Sequence, residues 1–141
     1  MSQAIVMYPI GYVENDVEEW LPPEEIAQRR SRIIIDPKLA DGLLRIEQAE
    51  QLLILYYFHR AGEVRLQLHP RDDKSKPVHG VFATRTQYRP NHIGATIVRL
   101  LSVEGNVLTV EGLDAMNGSP VLDIKPAEPP YGLSPQKDEK A

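Results

Sequence analysis

Gly80-Val81-Phe82-Ala83-Thr84-Arg85-Thr86-Gln87-Tyr88-Arg89-Pro90-Asn91-His92-Ile93-Gly94-Ala95-Thr96-Ile97-Val98-Arg99 is the stretch on which the reading of the chain turns. A strand-like apolar start runs into a polar turn with two arginines, an asparagine and a histidine, and the chain then becomes strand-like again. Scaffolds present binding loops in this way, although most charged turns are simply solvated. Pro90 stiffens the turn and confines Arg89 before it to extended geometry, which aims the flanking polar side chains. Arg85 and Arg89 each offer a planar fork of donors suited to carboxylate or phosphate.

Working outward, short strands dominate. Ile5 to Val13 reads as a first strand, at an edge or bulged because Pro9 and Gly11 interrupt it. The acidic stretch Glu14 to Glu25, with Pro22 and Pro23, reads as a solvated loop, and its Trp20 as a core anchor or dimer contact. Arg32 to Ile35 is a short strand. Asp36-Pro37 then supplies an N-cap and a proline at the first helical position, and Leu39, Leu43 and Ile46 recur at helical spacing. This predicts the one main α-helix, with its stripe in the core. The nearly continuous apolar run from Leu52 to Phe58 predicts a buried central strand ending at the rim in His59-Arg60. Val64, Leu66 and Leu68 alternate as a half-buried strand, and Pro70 to Pro77 is a charged loop. Ile97 to Val103 and Val107 to Glu111 form a hairpin across Gly105-Asn106, a pair suited to a type II′ turn. The Asn117-Gly118-Ser119-Pro120 turn and a strand from Val121 to Ile124 follow. The expected fold is mostly β, a small closed barrel that hides its strand edges, in one domain over 1–130 with a loosely ordered tail over 131–141.

Composition narrows the classes. With 42% hydrophobic and 26% charged residues the chain is of ordinary globular type, and no run approaches the roughly 20 apolar residues of a membrane span. The N-terminus lacks the pattern of a secretory signal, so a cytoplasmic protein with no membrane contact is expected. Absence of cysteine removes disulfides, thiolate catalysis and cysteine-bound zinc. His59, His69, His79 and His92 lack the close pairing of catalytic zinc sites, so no metal is expected. The net charge of -4 is unevenly spread. Residues 1–28 carry six acidic and no basic side chains, whereas 71–99 carry six basic ones against Asp72 and Asp73. A local basic site on an acidic protein is compatible with that distribution.

Residues 80–94 resemble the signature G-V-F-A-T-R-S-P-x-R-P-N-P-I-G of the TrmO family, also called YaeB or VirR-like. Gly112-Leu113-Asp114-Ala115-Met116-Asn117-Gly118-Ser119-Pro120-Val121-Leu122-Asp123-Ile124-Lys125-Pro126 is similar to the family's D-L-L-D-G-T-P-V-L-D-I-K-P. The chain departs from the pattern at Thr86, Gln87, His92, Ala95 and Asn117. An R-Q-P-G-like segment that shapes the family's cofactor pocket has no counterpart in the acidic stretch. The resemblance implies an S-adenosyl-L-methionine-dependent methyltransferase on a small β-barrel without a Rossmann domain. It also implies a homodimer, and a tRNA acceptor methylated on the exocyclic amine of threonylcarbamoyladenosine beside the anticodon. A small-molecule methyltransferase and a non-catalytic binding protein are the alternatives.

The same resemblance makes His59 and Arg60 cofactor contacts. Arg85 or Arg60 can pair with a carboxylate, and the Asn117, Gly118, Ser119 and Pro120 turn can present backbone groups to an adenine edge. Arg89 and Asn91 are expected on the substrate side. Methyl transfer from a sulfonium removes charge, so positioning supplies most of the rate. Asp114, Asp123, His59 and His92 can each accept a proton, and the sequence leaves that role unassigned.

Overall fold

The structure is a computed structural model and describes residues 3–127. Eight strands are present: β1 (Gly11–Glu14), β2 (Arg30–Ile35), β3 (Gln51–Tyr57), β4 (Gln67–Leu68), β5 (His79–Gly80), β6 (Ile93–Glu104), β7 (Val107–Glu111) and β8 (Pro120–Pro126). Six of them close an antiparallel barrel in the order β1-β2-β7-β6-β3-β8, and β4 pairs with β5 in a small separate ribbon. Closure leaves no free edge among the barrel strands.

Alternation builds the core. Leu52, Ile54 and Tyr56 of β3 point inward at 0%, 0% and 2% exposure and meet Ile33, Val98, Leu108, Val110 and Val121. Leu53, Leu55 and Tyr57 point out, so β3 is buried on one face and not on both. A barrel strand has an inside and an outside, and an apolar run cannot reveal this when the outside is apolar too.

Other expectations need correction. The first strand is only Gly11–Glu14; Ile5 to Tyr8 is extended, exposed chain. The main α-helix is absent. Residues Pro37–Leu43 and Ile46–Gln48 form 3-10 turns, with Leu39 46% exposed and only Leu43 and Ile46 packed on the core. The cap was read from a true signal, since the Asp36 carboxylate accepts from Lys38 N at 3.0 Å. Chain reversal at Leu44 and the left-handed Arg45 (φ +68°) then end the turn before α-helical bonds can propagate. A single short α-helix, α1 (Pro23–Ile26), lies instead in the acidic stretch, with Ile26 buried. Of Glu63 to Leu68 only the last two residues pair, and Val64 and Leu66 are exposed. The β6–β7 hairpin turns as expected, with positive φ at Gly105 and not at Asn106. The tail over 131–141 lies outside the described residues.

Topology decides where a site can form. The β1–β2, β3–β6 and β7–β8 connections all emerge at one mouth of the barrel, since the C-terminal ends of β1, β3 and β7 and the starts of β2, β6 and β8 lie there. The opposite mouth holds the tight β6–β7 hairpin and the β2–β3 turns.

Candidate functional site

The three connections wall a cleft of about 880 Å³. Its floor is the end of the barrel: Tyr56 of β3 with Phe58 just beyond that strand, Gly94 and Thr96 of β6, and Asp114 and Ser119 from the β7–β8 connection. Tyr56 organises this floor. Its ring packs edge-on to Phe58 with centroids 5.2 Å apart, and its hydroxyl donates to the main-chain carbonyl of Asp114. Burial pushes the Tyr56 hydroxyl up to about 12, which keeps it protonated and a donor. Glycine at 94 is what admits both rings, because a Cβ there would lie 2.6 Å from Tyr56 Cζ and 2.8 Å from Phe58 Cζ.

Asp114 sits between Leu113 and Ala115, both buried in the core, so the backbone that carries its carboxylate is fixed. Burial raises its pKa, and the nearby Arg85 guanidinium opposes that rise. Arg85 lines the cleft and donates through Nη2 to the carbonyl of Ala95, leaving most of its fork open.

Arg60 and Arg89 are differently engaged. Arg60 donates to the Glu18 carbonyl at 2.6 Å and to the Glu18 carboxylate at 2.8 Å. Arg89 lines the cleft, yet it bonds the carbonyls of Thr84 (2.9 and 3.0 Å) and Val81 (3.1 Å), clamping its own loop. Asn91 is exposed and left-handed (φ +67°), and it does not line the cleft. Its place suits the tolerance of asparagine for that conformation.

At the rim, His59 Nδ1 lies 3.4 Å from Ser119 Oγ, and Ser119 Oγ donates to the Met116 carbonyl at 2.7 Å. Burial first, then the Arg60 charge, lower the His59 pKa. Asn117 and Gly118 form the back of this turn, and their N–H groups donate to Val17 and Val13 carbonyls at 2.8 Å. His59, Arg60, Arg85, Arg89 and Ser119 thus line one cleft, while Asn117, Gly118, Pro120 and Asn91 stand outside its wall.

The acidic stretch is a wall of the cleft and not a free solvated loop. Val17, Glu19, Trp20 and Leu21 line it, and Trp20 is 56% exposed at the lip, which is no core anchor. Asn15 fastens this segment: its N–H donates to Asn117 Oδ1 at 3.0 Å, and its Nδ2 reaches Ser31 Oγ and the Ala115 carbonyl at 2.9 Å. The bonds to Asn117 and Ala115 join residues about a hundred positions apart, and nothing in the local pattern announces them. An Asn followed two residues on by a buried Val is the one available hint, since Asn15 Oδ1 accepts from Val17 N at 2.9 Å. Among the described residues no three His, Cys, Asp or Glu side chains gather as a metal site, and no helix is long and apolar enough to cross a membrane.

A small antiparallel barrel with a loop-walled cleft at one mouth defines a β-barrel ligand-binding domain, unrelated to parallel nucleotide-binding sheets. Residues 21–131 match the family model of the tRNA-methyltransferase O N-terminal domain, and the chain belongs to that family. It is 37% identical over 128 residues to an S-adenosyl-L-methionine-binding protein of Archaeoglobus fulgidus, covering 89% of this chain and 91% of that protein. It is 34% identical over 143 residues to the tRNA (adenine(37)-N6)-methyltransferase of Rattus norvegicus, covering 91% of this chain and 33% of that enzyme. The crystal structure of TrmO from Pseudomonas aeruginosa superposes with a TM-score of 0.73 at 32% identity, covering 90% of this chain and 57% of that one. This chain therefore spans only part of the rat and Pseudomonas proteins.

Proposed function

We propose that this domain is an S-adenosyl-L-methionine-dependent methyltransferase that acts on the exocyclic amine of an adenosine beside the anticodon of tRNA, threonylcarbamoyladenosine being the acceptor. The observation that carries the reading is that a largely open guanidinium, Arg85, and the Asp114 carboxylate line one cleft of small-molecule size. The names of the rat and Archaeoglobus relatives support the activity and the cofactor.

The residues present fit the cofactor. Its carboxylate suits Arg85, whose donors are mostly open, better than Arg60, which Glu18 already holds. Phe58, Leu21 and Met116 give the cleft an apolar wall for the remainder. When bound, the cofactor supplies an electrophilic methyl group on a sulfonium. The chain orients it, shields the reacting centre behind the β1–β2 connection, and offers a carboxylate for the departing proton.

An unstacked anticodon-loop base is the kind of RNA target that enters such a cleft, with Arg71 in its lining available to phosphates. A tRNA substrate fits a cytoplasmic protein. The outer face of β3 and β6 supports a homodimer: Leu53 lies beside Ile97, and Tyr57 and Ile97 are 40% and 54% exposed. Light scattering should report twice 15.9 kDa, and a particle of 15.9 kDa would contradict the dimer.

A second reading, a binding protein without turnover, is favoured by the near full-length match to the Archaeoglobus binding protein. Deleting the gene in its host and analysing tRNA nucleosides by mass spectrometry separates the two. Loss of a methyl group from threonylcarbamoyladenosine, restored by the wild-type gene, is expected. An unchanged nucleoside profile in a host with no second copy would leave the binding reading ahead.

A further inference from the structure

We propose that the Asp114 carboxylate is the proton acceptor of methyl transfer, taking the proton from the exocyclic amine of the acceptor as its nitrogen captures the methyl group. The proposal rests on the methyltransferase reading of the cleft. In that step the nitrogen lone pair forms the N–C bond, and the C–S bond breaks with its electrons remaining on sulfur, which becomes neutral. The N–H proton passes to an Asp114 carboxylate oxygen and from there to solvent, so charge and atoms balance.

Four residues had equal standing as proton acceptors in the sequence, and the structure separates them. Asp123 is paired with Lys125 at 3.0 Å on β8, and it does not line the cleft. His92 is held by the Gln87 carbonyl at 2.9 Å and packs edge-on to Tyr57, also away from the cleft lining. His59 does line it, but partial desolvation and then the Arg60 charge beside it disfavour the protonated ring that a base must become. Asp114 remains, on the floor. Glu19 and Asp72 line the cleft as well and are exposed as Asp114 is, yet neither is flanked by a buried residue, whereas Asp114 is held between Leu113 and Ala115 and through its own carbonyl by Tyr56. A general base works only within hydrogen-bond reach of its proton, so a fixed backbone matters.

The charged and titratable groups that face Asp114 are Arg85, from the β3–β6 connection, and the Tyr56 hydroxyl, from β3. Arg85 favours the ionised carboxylate, and partial burial makes that carboxylate more basic than in water. Both effects suit a group that must be charged before the reaction and accept a proton during it.

The test is Asp114→Asn in the full chain, with tRNA carrying threonylcarbamoyladenosine from a host that lacks the gene. Asn keeps the main-chain carbonyl that Tyr56 holds, and calorimetric binding of S-adenosyl-L-methionine checks that the cleft is intact. Single-turnover methyl transfer by wild type should rise with pH to a plateau, and the variant should be slower by about a hundredfold or more and lose the acid limb. In the ligand-free wild type, carbon-13 NMR should find the Asp114 carboxyl titrating above the ordinary 3.8. A variant within about threefold of wild type with the same pH profile would overturn the proposal. So would an Asp114 carboxyl that titrates at or below the ordinary value. If wild type binds the cofactor yet transfers no methyl, the methyltransferase reading itself falls, and this proposal with it.

Discussion

Gly94 and Tyr56 are mutually required: a Cβ on Gly94 would sit 2.6 Å from Tyr56 Cζ, inside the space the ring needs in order to reach the Asp114 carbonyl. The pair also stand opposite each other in the β3–β6 register. The floor of the cleft therefore depends on a missing methyl group.

Gly94→Ala is expected to cost about 1–3 kcal/mol, as overpacking does, because both the Tyr56 and Phe58 rings must shift. Denaturant melts measure the loss. Cofactor affinity should fall with it, since the displaced Tyr56 and Phe58 rings both line the cleft. A variant with wild-type midpoint and wild-type affinity would show that the rings move freely.

Arg89 is expected to matter through its own loop. Its fork satisfies the Val81 and Thr84 carbonyls together, and the single ammonium of lysine cannot reproduce that planar geometry. Arg89→Ala and Arg89→Lys should both lose about 1–3 kcal/mol of stability by leaving the Thr84 carbonyl without its donors, whereas the Val81 carbonyl keeps those from Thr84. Hydrogen exchange in residues 81–89 should quicken in both. Full rescue by lysine would show that charge alone is required.

Much of this architecture was legible in the chain. The barrel strands were legible as runs rich in apolar and β-branched residues and the β6–β7 turn by its glycine, because both are set by neighbouring residues. The helix over Pro37–Leu43 was misread because proline and an aspartate cap start a 3-10 turn as readily as an α-helix, and a few apolar residues cannot say how far the turn propagates. The strand over Glu63 to Leu68 was misread because alternation predicts pairing only when a partner is present, and β5 supplies just two residues. Within the site, Arg85 was legible from its fork of donors in the polar turn, whereas His59 and Ser119 came from the resemblance to the family's motifs. The Asn15–Asn117 and Glu18–Arg60 bonds, and the choice of Asp114 over Asp123, depend on which loops share a barrel mouth.

His59 gives a pH-dependent stability of known sign. Its folded-state pKa lies below the ordinary 6.5, by burial and then by the Arg60 charge. The stability tied to its neutral ring is thus fully present above 6.5 and is lost as pH falls through the lower folded value. Thermal melts of wild type and His59→Gln should show wild type losing ground to the variant as pH drops from about 7.5 to 5. A constant difference across that range would contradict the lowered pKa of the ring.

The central claim, that the cleft between the three loops binds S-adenosyl-L-methionine through Arg85, is tested most directly by calorimetric titration of the purified protein and of Arg85→Ala. Wild type should show one saturable site per chain. The variant should bind about ten- to a hundredfold more weakly, as loss of a charge-assisted hydrogen bond of about 1.5–3 kcal/mol requires. No heat with wild type and no cofactor retained on purification, or equal affinity in the variant, would contradict the account.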